Sequence, residues 1–398
     1  MRDIAGYALS ARISVINLVK EQWQIRRWLA ALLWPLSVLT QIYVWVNSYL
    51  FKNSIRSTYH LEIPIIVVGN VVVGGAGKTP VVIELVNYLC ATGRKVGVIS
   101  KGYGRTKVTH TVEHPVQSAQ IAGAGVIEVF EDSSPTLVGD EPKLIQYKTS
   151  VPVFVSDKRA NAASALLAKY PDTDIIISDD GLQHNALGRD INIVVFDNSG
   201  VGNGFLLPAG PLREPWPRVY KNAAKELVLS TNQGNAPSGF TVTRSLSDFA
   251  VNGFGKTLDL RTPISAHVHA LAGIARPEIF FEMLIEKGVN LSETTLLEDH
   301  ADFSNTQDDF LRVSADSSTG RGTTPSLNSG VTDRSMDTDS DTDTDTDTDT
   351  DRVFLCTEKD AVKIWEINPH VWAVPLECHI DPKFTDELED ALVALRHR

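Results

Sequence analysis

The alternation of apolar and polar stretches between residues 63 and 219 predicts a parallel α/β sheet. Residues 65–68, IIVV, form the β-branched run typical of a buried parallel strand. Apolar residues then recur at helical spacing, at Val82, Leu85, Val86 and Leu89. Further strand-like runs occupy residues 96–100, 151–155, 175–178 and 191–196, and a helical pattern occupies residues 160–169. The expected fold class is α/β, with a doubly wound, mostly parallel sheet.

The same pattern restarts after residue 220. Strand-like runs lie at residues 226–229, 240–243 and 268–272, and a helical pattern follows at residues 278–287. We therefore expect an N-terminal segment of residues 1–60, a first α/β domain of residues 61–220 and a smaller second α/β domain of residues 221–398. Residues 314–352 form an insertion of Ser, Thr, Gly and Asp with too few apolar residues to offset the entropy of ordering, so we expect disorder there.

Residues 28–46 form a run of nineteen uncharged, mostly apolar residues. A helix of this length extends about 28 Å, close to the thickness of a bilayer core. Trp28, Trp34, Tyr43 and Trp45 suit a membrane interface. We expect a membrane-associated helix at about residues 28–50, which can span the bilayer or lie on its surface, and a buried amphipathic helix is the alternative. A secretory signal is not expected, because the run starts late and lacks a small-residue cleavage site.

Composition and charge narrow the function classes. The formal charge is −12, but eight of the aspartates lie in the Asp-Thr repeat at residues 337–351. The remainder is mildly acidic and lacks the basic surface typical of nucleic-acid binding. The repeat lacks the pattern of a Ca²⁺ loop, so weak, nonspecific cation binding is the most it predicts. Cys90, Cys356 and Cys378 have neither metal nor disulfide spacing, which favours a reducing, cytosolic compartment.

The turn between the first strand and its helix carries the strongest chemical signal. Residues 69–80 read GNVVVGGAGKTP, a glycine-rich turn closed by Gly-Lys-Thr at a helix N-terminus, as in a phosphate-binding loop (P-loop). The expected ligand is a nucleoside triphosphate, because backbone N–H groups and the helix dipole favour phosphate there. The contacting residues would be Val72, Val73, Gly74, Gly75, Ala76, Gly77, Lys78 and Thr79, with Lys78 at the β/γ-phosphates and Thr79 on Mg²⁺. Val72 replaces the usual glycine, and a structural glycine turn is the alternative.

Asp179 and Asp180 end an apolar strand, and carboxylates in that place beside a P-loop hold Mg²⁺ or its waters. Alone, the pair is equally typical of a helix N-cap. Other chemically able side chains fall in predicted turns: Arg105, Asp140, Glu141, Arg213 and His300. The carboxylates can accept a proton or order a water, the arginines can clamp phosphate, and the histidine can reach a site from the second domain.

Nine motifs connect these candidates. They are GNVVVGGAGKTP (69–80), SKGYGR (100–105), GDEP (139–142), DDGLQH (179–184), RD (189–190), PAGPLREP (208–215), AGIARPEIFF (272–281), DH (299–300) and TEKDAVK (357–363). The series resembles that of the tetraacyldisaccharide 4′-kinases, the lipid A 4′-kinases of Gram-negative bacteria, and the apolar N-terminal segment is also similar. The sequence departs from the family at Val72, Lys101 and Ala301, and in the insertion at residues 314–352.

The resemblance implies an activity and a location. The γ-phosphoryl group of ATP would pass to the 4′-hydroxyl of a tetraacylated glucosamine disaccharide 1-phosphate, forming lipid IVA at the cytoplasmic face of the bacterial inner membrane. No obligate protein partner is implied. The family's fold implies a P-loop NTPase-like domain and a second α/β domain flanking a cleft, with the N-terminal helix on the membrane.

The resemblance also implies residue roles. Asp140 would be the catalytic base, assisted by His300. Thr79, Asp179 and Asp180 would serve Mg²⁺. Glu141 and His184 would lie near the nucleotide, and Arg213 and Glu214 would border the transferred phosphate.

Two other classes stay open at the level of sequence. The first is a membrane-associated P-loop NTPase that switches conformation without phosphorylating a lipid. An Asn-Lys-x-Asp loop, which would favour guanine, does not occur in the chain. The second is a nonenzymatic adaptor that binds nucleotide, which would tolerate loss of Asp140. The joint presence of Lys78, Asp140, Asp179 and His300 favours an enzyme.

Overall fold

The structure is a computed structural model that describes residues 23–24, 28–75, 77–103, 105, 120–121, 125–218, 223–298 and 352–396. Asp299, His300, Ala301 and Ala76 lie outside the described residues. So does the predicted insertion, except for its last residue, Arg352.

The described helices and strands follow the predicted alternation. The helices are α1 (Trp28–Lys52), α2 (Lys78–Ala91), α3 (Pro135–Val138), α4 (Asp140–Thr149), α5 (Arg159–Lys169), α6 (Pro277–Glu286), α7 (Glu358–Ile364) and α8 (Pro382–Arg396). The strands are β1 (Ile65–Gly69), β2 (Val96–Ser100), β3 (Gln120–Ile121), β4 (Val126–Val129), β5 (Val153–Val155), β6 (Ile175–Asp179), β7 (Ile191–Phe196), β8 (Lys225–Ser230), β9 (Phe240–Leu246), β10 (Phe249–Asn252), β11 (Thr257–Asp259), β12 (His267–Ala272), β13 (Leu291–Leu296), β14 (Arg352–Thr357), β15 (Trp372–Val374) and β16 (Leu376–Ile380). Each predicted strand and helix of residues 63–287 is present.

The first sheet has ten strands in the order β16-β9-β8-β7-β1-β6-β2-β5-β4-β3. Strand β1 lies between β6 and β7 and is parallel to both, and β8 and β9 extend the parallel run beyond β7. The carboxyl ends of these strands therefore meet at one edge, where parallel sheets bind their ligands. The predicted fold class is confirmed.

Helices cover both faces of this sheet because its central strands are buried on both sides. Ile66 and Val68 of β1 pack into one apolar cluster with Leu85 of α2 and Phe384 of α8. The alternate residues of β1 point to the opposite face, where the apolar cluster includes α5. The continuous apolar strands of the sequence are the consequence of this two-sided burial.

The second sheet has six strands in the order β11-β10-β15-β14-β12-β13. Its apolar clusters include α6 on one face and α7 on the other. Strands β8, β9 and β16 follow residue 220 in sequence but pair within the first sheet. The division between the two sheets therefore does not coincide with the predicted boundary at residue 220, because hydrogen bonding and not chain order assigns a strand to a sheet. The division of the chain into domains stays a prediction.

Helix α1 is long and apolar enough to cross a membrane, by length and composition. It lies mostly on the surface, and Trp28, Tyr43 and Trp45 are more than 60% exposed. Its buried Ser37 donates a hydrogen bond to the carbonyl oxygen of Leu206 (2.7 Å) and accepts one from the backbone N–H of Ala209 (3.0 Å). The helix is thus attached to the protein by the hydrogen bonds of Ser37, together with the buried Ala30, while many of its large apolar side chains stay exposed.

Candidate functional site

A cleft of about 1100 Å³ opens at the carboxyl edge of the first sheet. Lys78, Asp180 and Arg213 line it from the first sheet. Phe280 of α6 and Lys359 of α7 line it from the helices that cover the second sheet. The cleft is therefore bounded by both sheets.

The conformation of the P-loop is fixed by the backbone of Gly77 and by hydrogen bonds to a neighbouring segment. Gly77 has φ 67° and precedes the first residue of α2, a conformation that favours glycine. The N–H of Val73 donates to the carbonyl oxygen of Pro211 (2.8 Å), and the N–H of Arg213 donates to the carbonyl oxygen of Val71 (2.7 Å). These bonds fix the PAGPLREP segment beside the loop and bring Arg213 into the cleft.

Asp180 connects two cations of the site. Its carboxylate lies 3.6 Å from the Nζ of Lys78 and 3.3 Å from an Nη of Arg213. Burial acts to raise the pKa of Asp180, but the positive charges of Lys78, Arg213 and Arg159 outweigh burial and lower it. An ionised Asp180 thus holds two cations close to the place where a P-loop takes phosphate.

The pKa of Asp179 is shifted in the opposite direction from that of Asp180. Burial raises its pKa to about 7, the charges of Glu141 and Asp180 add to the rise, and Lys78 and Arg159 oppose it. The hydroxyl of Ser100 donates to Oδ2 at 3.3 Å. The buried Oδ1 has no hydrogen-bond partner among the described residues. A buried carboxyl with one unpaired oxygen beside a P-loop has the ligand chemistry to hold a cation.

These groups fit a magnesium ion. Thr79, Asp179 and Asp180 all line the cleft and offer the oxygen ligands that Mg²⁺ prefers. Within the described ranges, no group of three or more His, Cys, Asp or Glu side chains is placed to hold a metal ion. This is compatible with Mg²⁺, which is held by one or two carboxylates together with waters and substrate phosphates.

The GDEP motif begins α4, and its two acidic residues differ in exposure. Glu141 lines the cleft, whereas Asp140 is 4% exposed and is not part of the lining. The Nζ of Lys363 lies 3.6 Å from Oδ2 of Asp140. The Nζ of Lys359 lies 3.9 Å from the same oxygen and 3.9 Å from Oε1 of Glu141. Two lysines of α7 therefore contact the predicted base.

The remaining predicted residues either line the cleft, lie away from its lining or lie outside the described residues. Val73, Gly74, Gly75, Gly77 and His184 line the cleft. Burial, with the charges of Arg159, Arg189 and Lys101, lowers the pKa of His184 to about 4, so its imidazole is neutral at neutral pH.

Val72 and Glu214 do not line the cleft. Val72 is buried and bridges to Leu212. Glu214 accepts hydrogen bonds from Gln183 (2.8 Å) and Arg218 (3.0 Å). Ala76 and His300 lie outside the described residues, so their predicted roles stay predictions.

Arg159 and Arg244 line the cleft but were not among the predicted site residues. Arg159, at the start of α5, donates to the carbonyl oxygens of Asp179 (2.9 Å) and Asp180 (2.7 Å). The guanidinium of Arg244, on β9, covers Gly77 so closely that a Cβ added there would lie 2.3 Å from Cζ. A basic residue opening the helix after a parallel strand is a usable signal for Arg159. No comparable sequence signal exists for Arg244, because its position depends on the pairing of β9 within the first sheet.

Comparison with known proteins gives consistent matches. The sequence model of the family described as tetraacyldisaccharide-1-P 4′-kinase, LpxK, matches residues 29–323. The tetraacyldisaccharide 4′-kinase of Polaromonas naphthalenivorans (strain CJ2) is 42% identical over 377 residues, covering 94% of each chain. That of Acidovorax sp. (strain JS42) is 41% identical over 380 residues with the same coverage. The crystal structure of LpxK from Aquifex aeolicus in complex with ATP is similar with a TM-score of 0.65 at 22% identity, covering 92% of this chain and 99% of that one. This structural likeness supports the fold.

Replacing Gly77 with alanine tests the P-loop geometry. A Cβ at Gly77 would displace the guanidinium of Arg244, which lines the cleft, so Gly77→Ala should weaken nucleoside triphosphate binding at least about 10-fold in calorimetry, about 1.4 kcal/mol. Gly93→Ala is the matched control, because Gly93 also has a positive φ (84°) but has no atom within 4 Å of an added Cβ. Both variants carry the same kind of backbone strain. Equal nucleotide affinity in the two would show that the contact with Gly77 does not shape the site.

The pKa of Asp179 predicts a pH-dependent stability. Its value of about 7, against the usual 3.8, means that the folded protein keeps a proton that the unfolded chain releases. The stabilisation is therefore complete below about pH 4 and is lost as the pH rises to about 7. In chelator-treated protein, the thermal midpoint of the wild type should fall more steeply between pH 5 and 7 than that of Asp179→Asn. The exposed control Asp386→Asn should follow the wild type, and parallel curves for wild type and Asp179→Asn would contradict the assignment.

Proposed function

The chain belongs to the tetraacyldisaccharide-1-P 4′-kinase family, and we propose that its cleft transfers the γ-phosphoryl group of ATP to the 4′-hydroxyl of a tetraacylated glucosamine disaccharide 1-phosphate. Membership makes the protein an ATP-dependent kinase of lipid A synthesis. Nothing in the relatives supports the alternative of a P-loop NTPase that only switches conformation.

The convergence of three motifs in one cleft supports the proposal most directly. Lys78 of the P-loop, the Asp179–Asp180 pair and Glu141 of GDEP all line it. Phosphoryl transfer needs positioning and charge neutralisation more than covalent chemistry. A P-loop lysine, an arginine held beside it by a shared carboxylate, and a pair of acidic side chains meet those needs.

Lys78 and Arg213 would bind the β- and γ-phosphates of ATP. Both contact Asp180, and the backbone N–H of Arg213 is hydrogen-bonded to Val71 beside the P-loop that carries Lys78. Thr79, Asp179 and Asp180 would hold Mg²⁺, which when bound neutralises charge on the phosphates. Arg159 keeps the two aspartates oriented by bonding their backbone carbonyls.

Asp140 would accept the proton of the 4′-hydroxyl. It lies in the first turn of α4, next to Glu141 on the cleft wall. A carboxylate in this place would take the proton as the hydroxyl oxygen attacks phosphorus. His300 would assist it, as the family resemblance implies.

The lipid acceptor would reach the cleft from the cytoplasmic face of the inner membrane. A disaccharide with four acyl chains stays in the bilayer, so the enzyme must bind the membrane surface. The uncovered apolar side chains of α1 would provide that contact. Ser37 of α1 is hydrogen-bonded to Leu206, just before the PAGPLREP segment, and to Ala209 within it. The same segment continues to Arg213. The membrane contact and the phosphate site would thus share one segment of chain.

A kinase assay tests the activity. Detergent-solubilised protein is incubated with Mg²⁺-ATP and the tetraacyl disaccharide 1-phosphate, and lipid mass and ADP release are followed together. One phosphate should be gained on the distal sugar for each ADP released, and Lys78→Ala should nearly abolish both. ADP release without lipid modification would instead favour the NTPase switch, and near-normal turnover of Lys78→Ala would remove the P-loop from the mechanism.

Asp140→Asn tests the base. The amide keeps the shape of the side chain but cannot accept the proton, so turnover should fall about 10²- to 10⁴-fold. ATP affinity should stay within about 2-fold, since the proposed role of Asp140 is toward the acceptor hydroxyl and not toward the nucleotide. Unchanged turnover with unchanged ATP affinity would show that another group takes the proton.

A further inference from the structure

We propose that Lys359, together with Lys363, is a positioning residue for Asp140, so that the catalytic base is held in place only when the second sheet is docked against the first. The proposal rests on the proposed function, in which Asp140 is the base.

The two lysines reach Asp140 from another layer of the molecule. Asp140 begins α4, which packs on the first sheet, and the lysines lie on α7, which packs on the second. The Nζ atoms lie 3.6 Å (Lys363) and 3.9 Å (Lys359) from the same Oδ2. Because the lysines are four residues apart on one helix, they share a face and converge on one carboxylate.

Burial makes these contacts consequential. Asp140 is 4% exposed, and the side chains of Lys359 and Lys363 are 17% and 13% exposed. A carboxylate removed from water in this way needs nearby positive charge to offset the loss of hydration. Two ammonium groups supply it and restrict the orientation of the carboxylate. Lys359 also contacts Glu141, so one ammonium connects both acidic residues of GDEP.

The first turn of α7 is itself rigidly attached. Oδ2 of Asp360 accepts hydrogen bonds from the N–H of Gly273 (2.9 Å) and from the hydroxyl of Thr357 (2.6 Å). Asp360, which lies between the two lysines in the sequence, is fully buried. These bonds join α7 to the end of β12, so Lys359 and Lys363 move with the second sheet. The TEKDAVK motif therefore combines an anchor (Thr357 and Asp360) with two cations directed at the base.

Lys359→Met is the first test, because methionine keeps most of the side-chain volume without the charge. In the kinase assay, kcat should fall about 10- to 100-fold, the cost of a misplaced catalytic group, with KM for ATP within about 2-fold. Lys359→Arg, which keeps the charge, should recover most of the loss. Glu366→Gln is the control, since Glu366 lies two residues after α7 and accepts a hydrogen bond from Ser134, the residue before α3, at 3.4 Å instead of contacting Asp140. A kcat of Lys359→Met equal to that of the control would overturn the proposal.

A double-mutant cycle separates positioning from a general structural role. If Lys359 acts through Asp140, the variant Asp140→Asn with Lys359→Met should be no slower than Asp140→Asn alone. Multiplied losses would show that Lys359 acts elsewhere. The same cycle read by thermal midpoint needs no kinase activity: the effects of the two substitutions should be non-additive if the pair interacts. Coupling in the midpoint with no lipid phosphorylation by the wild type would refute the proposed function but keep the contact, whereas additive midpoints would refute the contact itself.

Discussion

The parallel pairing of β1 with β6 is the constraint on which the site depends. In that register Val68, the next-to-last residue of β1, lies opposite Asp179, the last residue of β6. The P-loop that follows β1 and the acidic pair that ends β6 must therefore emerge side by side at the carboxyl edge of the sheet. A shift of one residue in this register would turn the strand faces over and would remove Asp179 from its buried place. The parallel pairing of β1 with β7 on its other side places the carboxyl end of β7 at the same edge of the sheet.

The charges at this edge are arranged so that two adjacent carboxyl groups behave differently. Asp180 lies between Lys78 and Arg213, which lower its pKa, whereas Asp179 is buried behind it and has a pKa raised to about 7. Arg159 interacts with the backbone carbonyls of both and so orients the turn. In the proposed function, the site would thus keep its cations in place before the phosphates arrive, and Asp179 would exchange its proton for a metal ion. Such preorganisation reduces the rearrangement that phosphate binding would otherwise require.

Sequence reasoning was successful where short-range pattern decides structure. The P-loop and the strand that ends at Asp179 follow from local residue patterns, and both reach the cleft. The GDEP segment was predicted as a turn, whereas its Asp140 begins helix α4. Sequence reasoning was less informative where distant pairing decides. Strand β9 brings Arg244 over Gly77 only because it pairs beside β8, and no local pattern distinguishes that pairing from membership of the second sheet. The burial of Asp140 beneath two lysines likewise depends on how α4 and α7 pack, which residue spacing within either helix does not specify.

The attachment of α1 connects the surface of the protein to the site by a short path. Ser37 is bonded to Leu206 and Ala209, and four residues after Ala209 the N–H of Arg213 is bonded to Val71 beside the P-loop. A displacement of α1 that kept the hydrogen bonds of Ser37 to Leu206 and Ala209 would move the segment that carries Arg213. Buried backbone groups do not give up their hydrogen bonds without a cost of about 1–3 kcal/mol each. A lipid acceptor and a soluble nucleotide enter from different phases, yet their reacting atoms must meet within about 3–3.5 Å. Joining the proposed membrane helix to the phosphate site through one hydrogen-bonded segment would meet that requirement, because with α1 bound to the membrane it would set the depth of the cleft relative to the bilayer surface.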